Sequence, residues 1–186
     1  MQLFCKEAFI HNVLLGVFTA GIVSFGTQYY YFFDYVKAAK LTILVLLLAP
    51  TAYIDFKNRI IPDKVLIVGL FARIIFYPIE IFVGNKEVFE ILLSDVKGVL
   101  LGGGVFLLGT LIVKDSIGIG DIKLYSIIGF FCGYSGTLAS MIYSLLICFI
   151  VSIILLVFKK KDRKDTFPLA PFTLVGTFLA ILLGSC

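Results

Sequence analysis

Apolar residues in this chain come in long blocks rather than alternating with polar ones, and the charged positions collect between the blocks. A helix needs roughly 20 residues to cross a bilayer. On that measure the blocks predict seven segments: Ala8 to Gly26, Leu41 to Ile54, Val65 to Val83, Val99 to Val113, Ile122 to Tyr134, Leu138 to Phe158 and Phe167 to Gly184. The expected fold class is therefore an all-α polytopic membrane protein with six to seven transmembrane helices. The second and fifth blocks are too short for a hydrocarbon core of about 30 Å, so they must recruit flanking residues or thin the bilayer. Both adjoin an aspartate, Asp55 and Asp121 respectively. A short helix beside a carboxylate leaves room for water at the membrane edge.

Composition sharpens this picture. The chain is 60% hydrophobic and only 15% charged, whereas soluble domains sit near half apolar and about a quarter charged. Its 186 residues make one integral membrane domain, 1–186, with no separate soluble domain, and the lipid bilayer is its first partner. Cytoplasmic loops carry the excess of Lys and Arg. With the N-terminus inside, Lys6, Lys57, Arg59, Lys64, Lys114, Lys123, Lys159, Lys160, Lys161, Arg163 and Lys164 fall on the cytoplasmic side, and Lys37, Lys40, Lys86 and Lys97 on the other. That is eleven against four, with Arg73 inside a span. The expected location is the cytoplasmic (inner) membrane, multi-pass, with the N-terminus, Asp55 and Asp121 all facing the cytoplasm.

The net charge of +4 is spread over several turns, which gives no groove for nucleic acid. The run from Lys159 to Lys164 suits anionic lipid head groups. A single Lys6 before an apolar stretch interrupted by His11 and Asn12, without a small-residue cleavage site, does not read as a removable secretory signal. Cys5, Cys132, Cys148 and Cys186 are scattered without a Cys-x-x-Cys pair. They indicate neither a zinc site nor a disulfide framework and are expected to behave as small apolar residues. No metal and no cofactor is expected.

Two segments carry the candidate chemistry. The first is Asp55-Phe56-Lys57-Asn58-Arg59-Ile60-Ile61-Pro62-Asp63. Pro62 disfavours helix at Ile61 and is welcome in the first turn of the next helix, so a defined turn holds Asp55 at a helix end. The alternative is that Asp55 and Asp63 are ordinary loop charges balancing Lys57, Arg59 and Lys64. The second is Gly118-Ile119-Gly120-Asp121-Ile122-Lys123-Leu124. Gly118 and Gly120 leave no side chains to block an approaching peptide strand. The alternative there is a glycine turn with Asp121 as an N-cap.

Together the two segments are more specific than either alone, because both acids face one compartment from helix ends. Two neighbouring carboxylates do not both ionise easily. If their side chains meet, one would keep a proton and polarise a scissile carbonyl, the other would draw a proton from water, and their titration would belong to the pair.

On these residues, with Ile61-Pro62 downstream of Asp55, with Lys123-Leu124 after Asp121 and with Phe167-Pro168-Leu169-Ala170-Pro171-Phe172 at the last span, the chain resembles the type IV prepilin peptidases and archaeal preflagellin peptidases. These are membrane aspartyl proteases of the Gly-x-Gly-Asp type. The resemblance covers roughly Leu41 onward. It implies that Asp55 and Asp121 are catalytic, with Gly118, Gly120, Lys123 and Pro62 in support, while Asp63, Asp115, Asp162 and Asp165 are not promoted. It also implies a substrate: a prepilin-like precursor whose short basic leader is cut at the cytoplasmic edge of its hydrophobic helix. The larger bifunctional members add a cytoplasmic insertion with paired cysteines and N-methylate the new N-terminus. Here only Thr27 to Lys40 joins the first spans, so the chain resembles the short peptidase-only members and methylation is not expected. The competing readings are a presenilin-like or signal-peptide-peptidase-like intramembrane protease and a small ion-coupled transporter.

Other features read as structural. Arg73 and Glu80 are two turns apart on one helix face, about 10 Å along the axis, which points to structural pairing with polar partners inside the bundle, or to snorkelling to the outer interface, rather than to catalysis. Gly98 and Gly102, and Gly129 and Gly133, have the spacing that lets membrane helices approach closely. They are read as intramolecular packing around the site, with the oligomeric state left open. The cluster Tyr29-Tyr30-Tyr31-Phe32-Phe33 suits the outer interface.

Overall fold

The computed structural model describes residues 19, 21–26, 29–30, 34–84, 87–112, 118–158 and 168–186. Most of the expected first span, Ala8 to Gly26, lies outside the described residues, as do Cys5, Lys6, His11, Tyr31 to Phe33, Lys114, Asp115, the basic run Lys159 to Lys164 and Phe167. Every regular element among the described residues is a helix: α1 (Tyr35–Asn58), α2 (Asp63–Gly84), α3 (Val88–Ile112), α4 (Ile119–Val157) and α5 (Ala170–Leu182). Four of these are long and apolar enough to cross a membrane. The protein is an all-α polytopic membrane protein.

The second expected span lengthens as its shortness required. Asp34 caps α1 by accepting hydrogen bonds from the backbone N–H groups of Val36 and Lys37, both at 3.0 Å, so the helix gains a turn and a half before Leu41. Its 24 residues reach about 36 Å. The far end closes where Arg59 enters the left-handed region (φ 55°) and donates its N–H to the Asp55 carbonyl at 2.8 Å. Pro62 then starts α2, its carbonyl accepting from Val65 N–H at 3.1 Å.

The fifth and sixth expected spans run on as α4, 39 residues with one non-helical residue inside, Gly133 (φ 65°, ψ −165°). That residue reverses the chain. A straight helix would hold Tyr125 and Ser144 about 28 Å apart, yet the Tyr125 hydroxyl donates to Ser144 Oγ at 2.9 Å. The contacts of α3 agree: Gly98 lies against Gly129 and Gly133, and Gly102 against Tyr125 and Thr137. Ascending α3 therefore descends the leg before Gly133 and ascends the leg after it. The leg from Ile119 to Cys132 remains short, about 20 Å, and it carries Asp121 at its start.

Glycine makes this close packing possible. A Cβ on Gly98 would stand 2.5 Å from the Gly129 carbonyl oxygen, and one on Gly176 would stand 2.5 Å from the Ser144 backbone nitrogen. The four-residue glycine spacing thus serves contacts within the chain, as its sequence implied. Gly133, however, belongs to a turn at the far end from Asp121 rather than to packing around that acid. Its backbone conformation is essentially closed to other residues. Gly133→Ala is expected to destabilise the protein by about 1–3 kcal/mol, seen as a lowered thermal unfolding midpoint in detergent.

The core between the legs is apolar at Leu41, Leu44, Leu48, Leu124, Ile128, Phe131 and Ile181, with Phe106 stacked on Tyr125 at 4.3 Å between ring centroids. A stripe of hydroxyls, Thr137, Ser140, Ser144, Thr173 and Thr177, is fully buried there. Each is satisfied locally: Thr137 donates to the Gly133 carbonyl, Ser140 and Thr177 share a hydrogen bond of 2.6 Å, Thr173 shares its one hydroxyl proton between the Leu169 carbonyl and the Tyr125 hydroxyl, and Ser144 donates to the Ser140 carbonyl. Large side chains such as Phe71, Ile75, Phe82, Leu100, Leu107 and Ile112 stay exposed, forming the surface that lipid covers.

The expected span Val99 to Val113 begins eleven residues earlier, at Val88. The polar stretch Ser94-Asp95-Val96-Lys97 is helical because Asp95 turns inward to Arg73. Arg73 is 1% exposed. Its Nη2 and Nε donate to Asp95 Oδ2 at 2.6 and 3.1 Å, its Nη1 donates to Glu80 Oε2 at 2.7 Å, and its Nε also donates to the Phe130 carbonyl at 2.6 Å. The break at Gly133 removes the helical partner of that carbonyl, and Arg73 replaces it. Tyr77 donates to Asp95 at 2.7 Å beneath the guanidinium, and Lys40 pairs with Glu80 at 2.7 Å. The expected Arg73 and Glu80 pairing is present, within a larger neutral network that joins α1, α2, α3 and the α4 reversal.

Candidate active site

Four helix ends meet opposite the Gly133 reversal: the C-terminus of α1 and the N-termini of α2, α4 and α5. Asp55 is in the last turn of α1 and is 5% exposed. Its Oδ2 accepts the Ala170 backbone N–H at 3.0 Å. Ala170 opens α5, where the first amides lack helical partners and the helix dipole favours negative charge. Pro168 and Pro171 bracket that start, and Pro171 sits where its missing N–H costs nothing.

Asp121 occupies the first turn of α4, whose N-cap is Gly118 in extended conformation. The Asp121 N–H donates to the Gly118 carbonyl at 3.0 Å, and a Cβ on Gly118 would stand 3.3 Å from Asp121 Oδ2. Gly120 lies against Ile61, where a Cβ would be 3.0 Å from that of the isoleucine. The absence of side chains at Gly118 and Gly120 therefore leaves the carboxylate uncovered and lets the turn after Asp55 close on the turn before Asp121.

Asp55 and Asp121 line one cleft of about 400 Å³ with Arg59, Ile60, Ile61, Asp63, Gly118, Ile119, Gly120 and Lys123. Lys123 Nζ pairs with Asp63 Oδ1 at 2.7 Å across the mouth, both side chains half or more exposed. An exposed pair of this kind contributes at most about 1 kcal/mol, so it links the two turns without locking them. Of the residues singled out in the sequence, Asp55, Asp121, Gly118, Gly120 and Lys123 thus share one cavity, whereas Pro62 is not among its lining residues and stands between two that are, Ile61 and Asp63, at the start of α2. One contributor was not foreseen: Ala170, the amide donor to Asp55, carried only the signal of the flanking prolines. Asp63, not promoted to a catalytic role, lines the mouth.

Two carboxylates lining one cleft, an apolar rim of Ile60, Ile61 and Ile119, and a glycine edge where a backbone can approach are parts that suit the hydrolysis of an extended peptide. Among the described residues no group of three or more His, Cys, Asp or Glu is disposed around a metal ion. A larger cavity, about 460 Å³, lies at the opposite end among Lys37, Lys40, Arg73, Glu80 and Asp95. There Glu80 and Asp95 are engaged by Arg73, with Lys40 on Glu80.

Residues 41–157 match the type IV leader peptidase family. Among curated proteins, the chain is similar to a prepilin leader peptidase/N-methyltransferase of Stutzerimonas stutzeri, 23% identical over 181 residues that cover 97% of this chain and 61% of the relative. It is also similar to the protein of that description from Xanthomonas campestris pv. campestris, 25% identical over 141 residues, or 71% of this chain and 45% of the relative. The chain thus spans about half to three-fifths of the length of these relatives. No solved structure matches it. The family match takes in the α1 end with Asp55, the turn before α2 and the glycine turn with Asp121, and on that match the chain belongs to the type IV leader peptidase family.

Proposed function

We propose that this protein is a membrane aspartic endopeptidase that removes the short basic leader from pilin-like precursors at the cytoplasmic face of the membrane. The observation that carries the proposal is the meeting of Asp55 and Asp121, 66 positions apart in the chain, in one cleft at the ends of apolar helices. The relatives named as prepilin leader peptidases supply the substrate class.

In this reading the apolar helix of the precursor lies beside the bundle and its N-terminal end unwinds into the cleft along Gly118 and Gly120. One carboxylate, ionised, takes a proton from a water placed between the acids. The other, protonated, hydrogen-bonds the scissile carbonyl oxygen as the water attacks. Collapse of the tetrahedral intermediate then needs a proton on the leaving amine, which the acid that accepted it from water returns. The Ala170 N–H holds Asp55 in position throughout, and helix-end amides stabilise negative charge without moving. The cytoplasmic assignment follows from the excess of Lys and Arg on the side of the two acids. We assign the peptidase step alone, since the connection from Thr27 to Lys40 has no paired cysteines of the kind the bifunctional members carry.

The test is to incubate the purified protein in detergent with pilin-like precursors bearing basic leaders and to locate the cut by mass spectrometry. A single cut between leader and hydrophobic helix is expected. Intact precursors together with ion-dependent solute uptake in proteoliposomes would instead identify a transporter.

A further inference from the structure

Cys132 and Cys186 are 54 positions apart in sequence and meet at the end of the molecule remote from the two acids. Cys132 ends the first leg of α4 beside the Gly133 reversal, and Cys186 follows the last turn of α5. A Cβ placed on Gly136 would stand 2.7 Å from Cys132 Cβ and 2.7 Å from Cys186 Sγ, so both cysteines press on the same face of one glycine. Both line the cavity of about 460 Å³ with Lys37, Lys40 and Ser185, which gives a polar reagent a route to them although each is only 9% exposed. The remaining described cysteine, Cys148, is not among the residues lining this cavity.

We infer that Cys132 and Cys186 form a disulfide that ties the end of α5 to the reversal in α4. The biological side of this inference rests on the orientation proposed above, which puts this cavity on the extracytoplasmic side, where disulfides persist. The geometric side does not. The oxidant is a small-molecule or protein disulfide. One cysteine thiolate attacks it, releasing the first thiol and forming a mixed disulfide. The second thiolate then displaces the other thiol, so the two cysteines lose two electrons and two protons and the oxidant becomes two thiols. The bond restrains the helix whose opposite end holds Asp55 through the Ala170 amide.

The test uses oxidised glutathione as the probe on the purified full chain in detergent, followed by alkylation of remaining thiols and mass spectrometry of unreduced peptides. The expected result is a Cys132–Cys186 linked peptide in the wild type and in Cys148→Ser, absent from Cys132→Ser and Cys186→Ser, with a thermal midpoint raised by about 5–10 °C on oxidation. Separate glutathione adducts on the two cysteines, links involving Cys148, or full alkylation of both thiols after oxidation would overturn it. This readout does not use cleavage, so loss of the peptidase assignment would leave the linkage result standing. In intact cells, a linkage present before any added oxidant supports the extracytoplasmic placement, and free thiols there with ready linkage in vitro would count against that placement alone.

Discussion

Asp55→Asn and Asp121→Asn are each expected to lower the rate of precursor cleavage by at least about 10³-fold, while leaving the protein folded. A positioned acid or base contributes roughly 10²–10⁴-fold. In a two-carboxylate site either loss removes the step that the partner cannot perform alone, so the double variant should fall little further than the single ones. Asparagine is the informative replacement because its shape is that of aspartate. At position 55 its amide oxygen still accepts the Ala170 N–H that Asp55 accepts at 3.0 Å. Substrate affinity should change far less than turnover, since the strand is held by the cleft rim and by lipid. Asp63→Asn is the control: its carboxylate lines the mouth and pairs with Lys123 in the open, so turnover should stay within a few-fold.

Arg73→Met is expected to be the most destabilising single change, costing about 3–5 kcal/mol out of a total that is typically 5–15 kcal/mol. Arg73 holds both Asp95 and Glu80 and occupies the Phe130 carbonyl freed by the reversal. Methionine fills much of the volume but leaves Glu80 with Lys40 alone and takes from the buried Asp95 and the Phe130 carbonyl their guanidinium donor. Loss of monodisperse protein in detergent, or a sharply lowered thermal midpoint, is the measurement. The triple change Arg73→Met, Asp95→Leu and Glu80→Gln should recover part of the loss, because removing a buried charge together with the two carboxylates it holds costs less than removing that charge alone. Activity should follow the folded fraction, since this network is at the far end of the bundle from the cleft.

How far these features could be read from the sequence depended on whether the cause was local. Span positions were legible because lipid leaves backbone amides no partner except the helix itself. The start of α3 was not, because Ser94 to Lys97 reads as a loop until Arg73 is known to stand beside Asp95. Arg73 and Glu80 could be paired by helical spacing, whereas Asp95 is on another helix. Gly133 announced close packing by its distance from Gly129. Nothing in the residue type distinguishes that role from a chain reversal, which is written in its φ of 65° and in the contacts on either side. Asp55 and Asp121 stood out as carboxylates at the ends of apolar blocks. That they share a cleft follows from the hairpin in α4 and the up-and-down course of α1, and the Ala170 amide on Asp55 is visible only once α5 is placed.

If Asp55 and Asp121 form one site, their proximity can be measured directly. In a chain with its four cysteines replaced by serine, the pair Asp55→Cys and Asp121→Cys is treated with a short bifunctional methanethiosulfonate reagent and the product is mapped by mass spectrometry. The pair Asp63→Cys and Lys123→Cys, whose native side chains touch at 2.7 Å, reports that the reagent reaches this end of the protein. Asp55→Cys with Asp95→Cys spans the two ends and should not link. An intramolecular link between positions 55 and 121 at an efficiency like that of 63 with 123 is the predicted result. Efficient linkage of 63 with 123 but none of 55 with 121 would contradict the account.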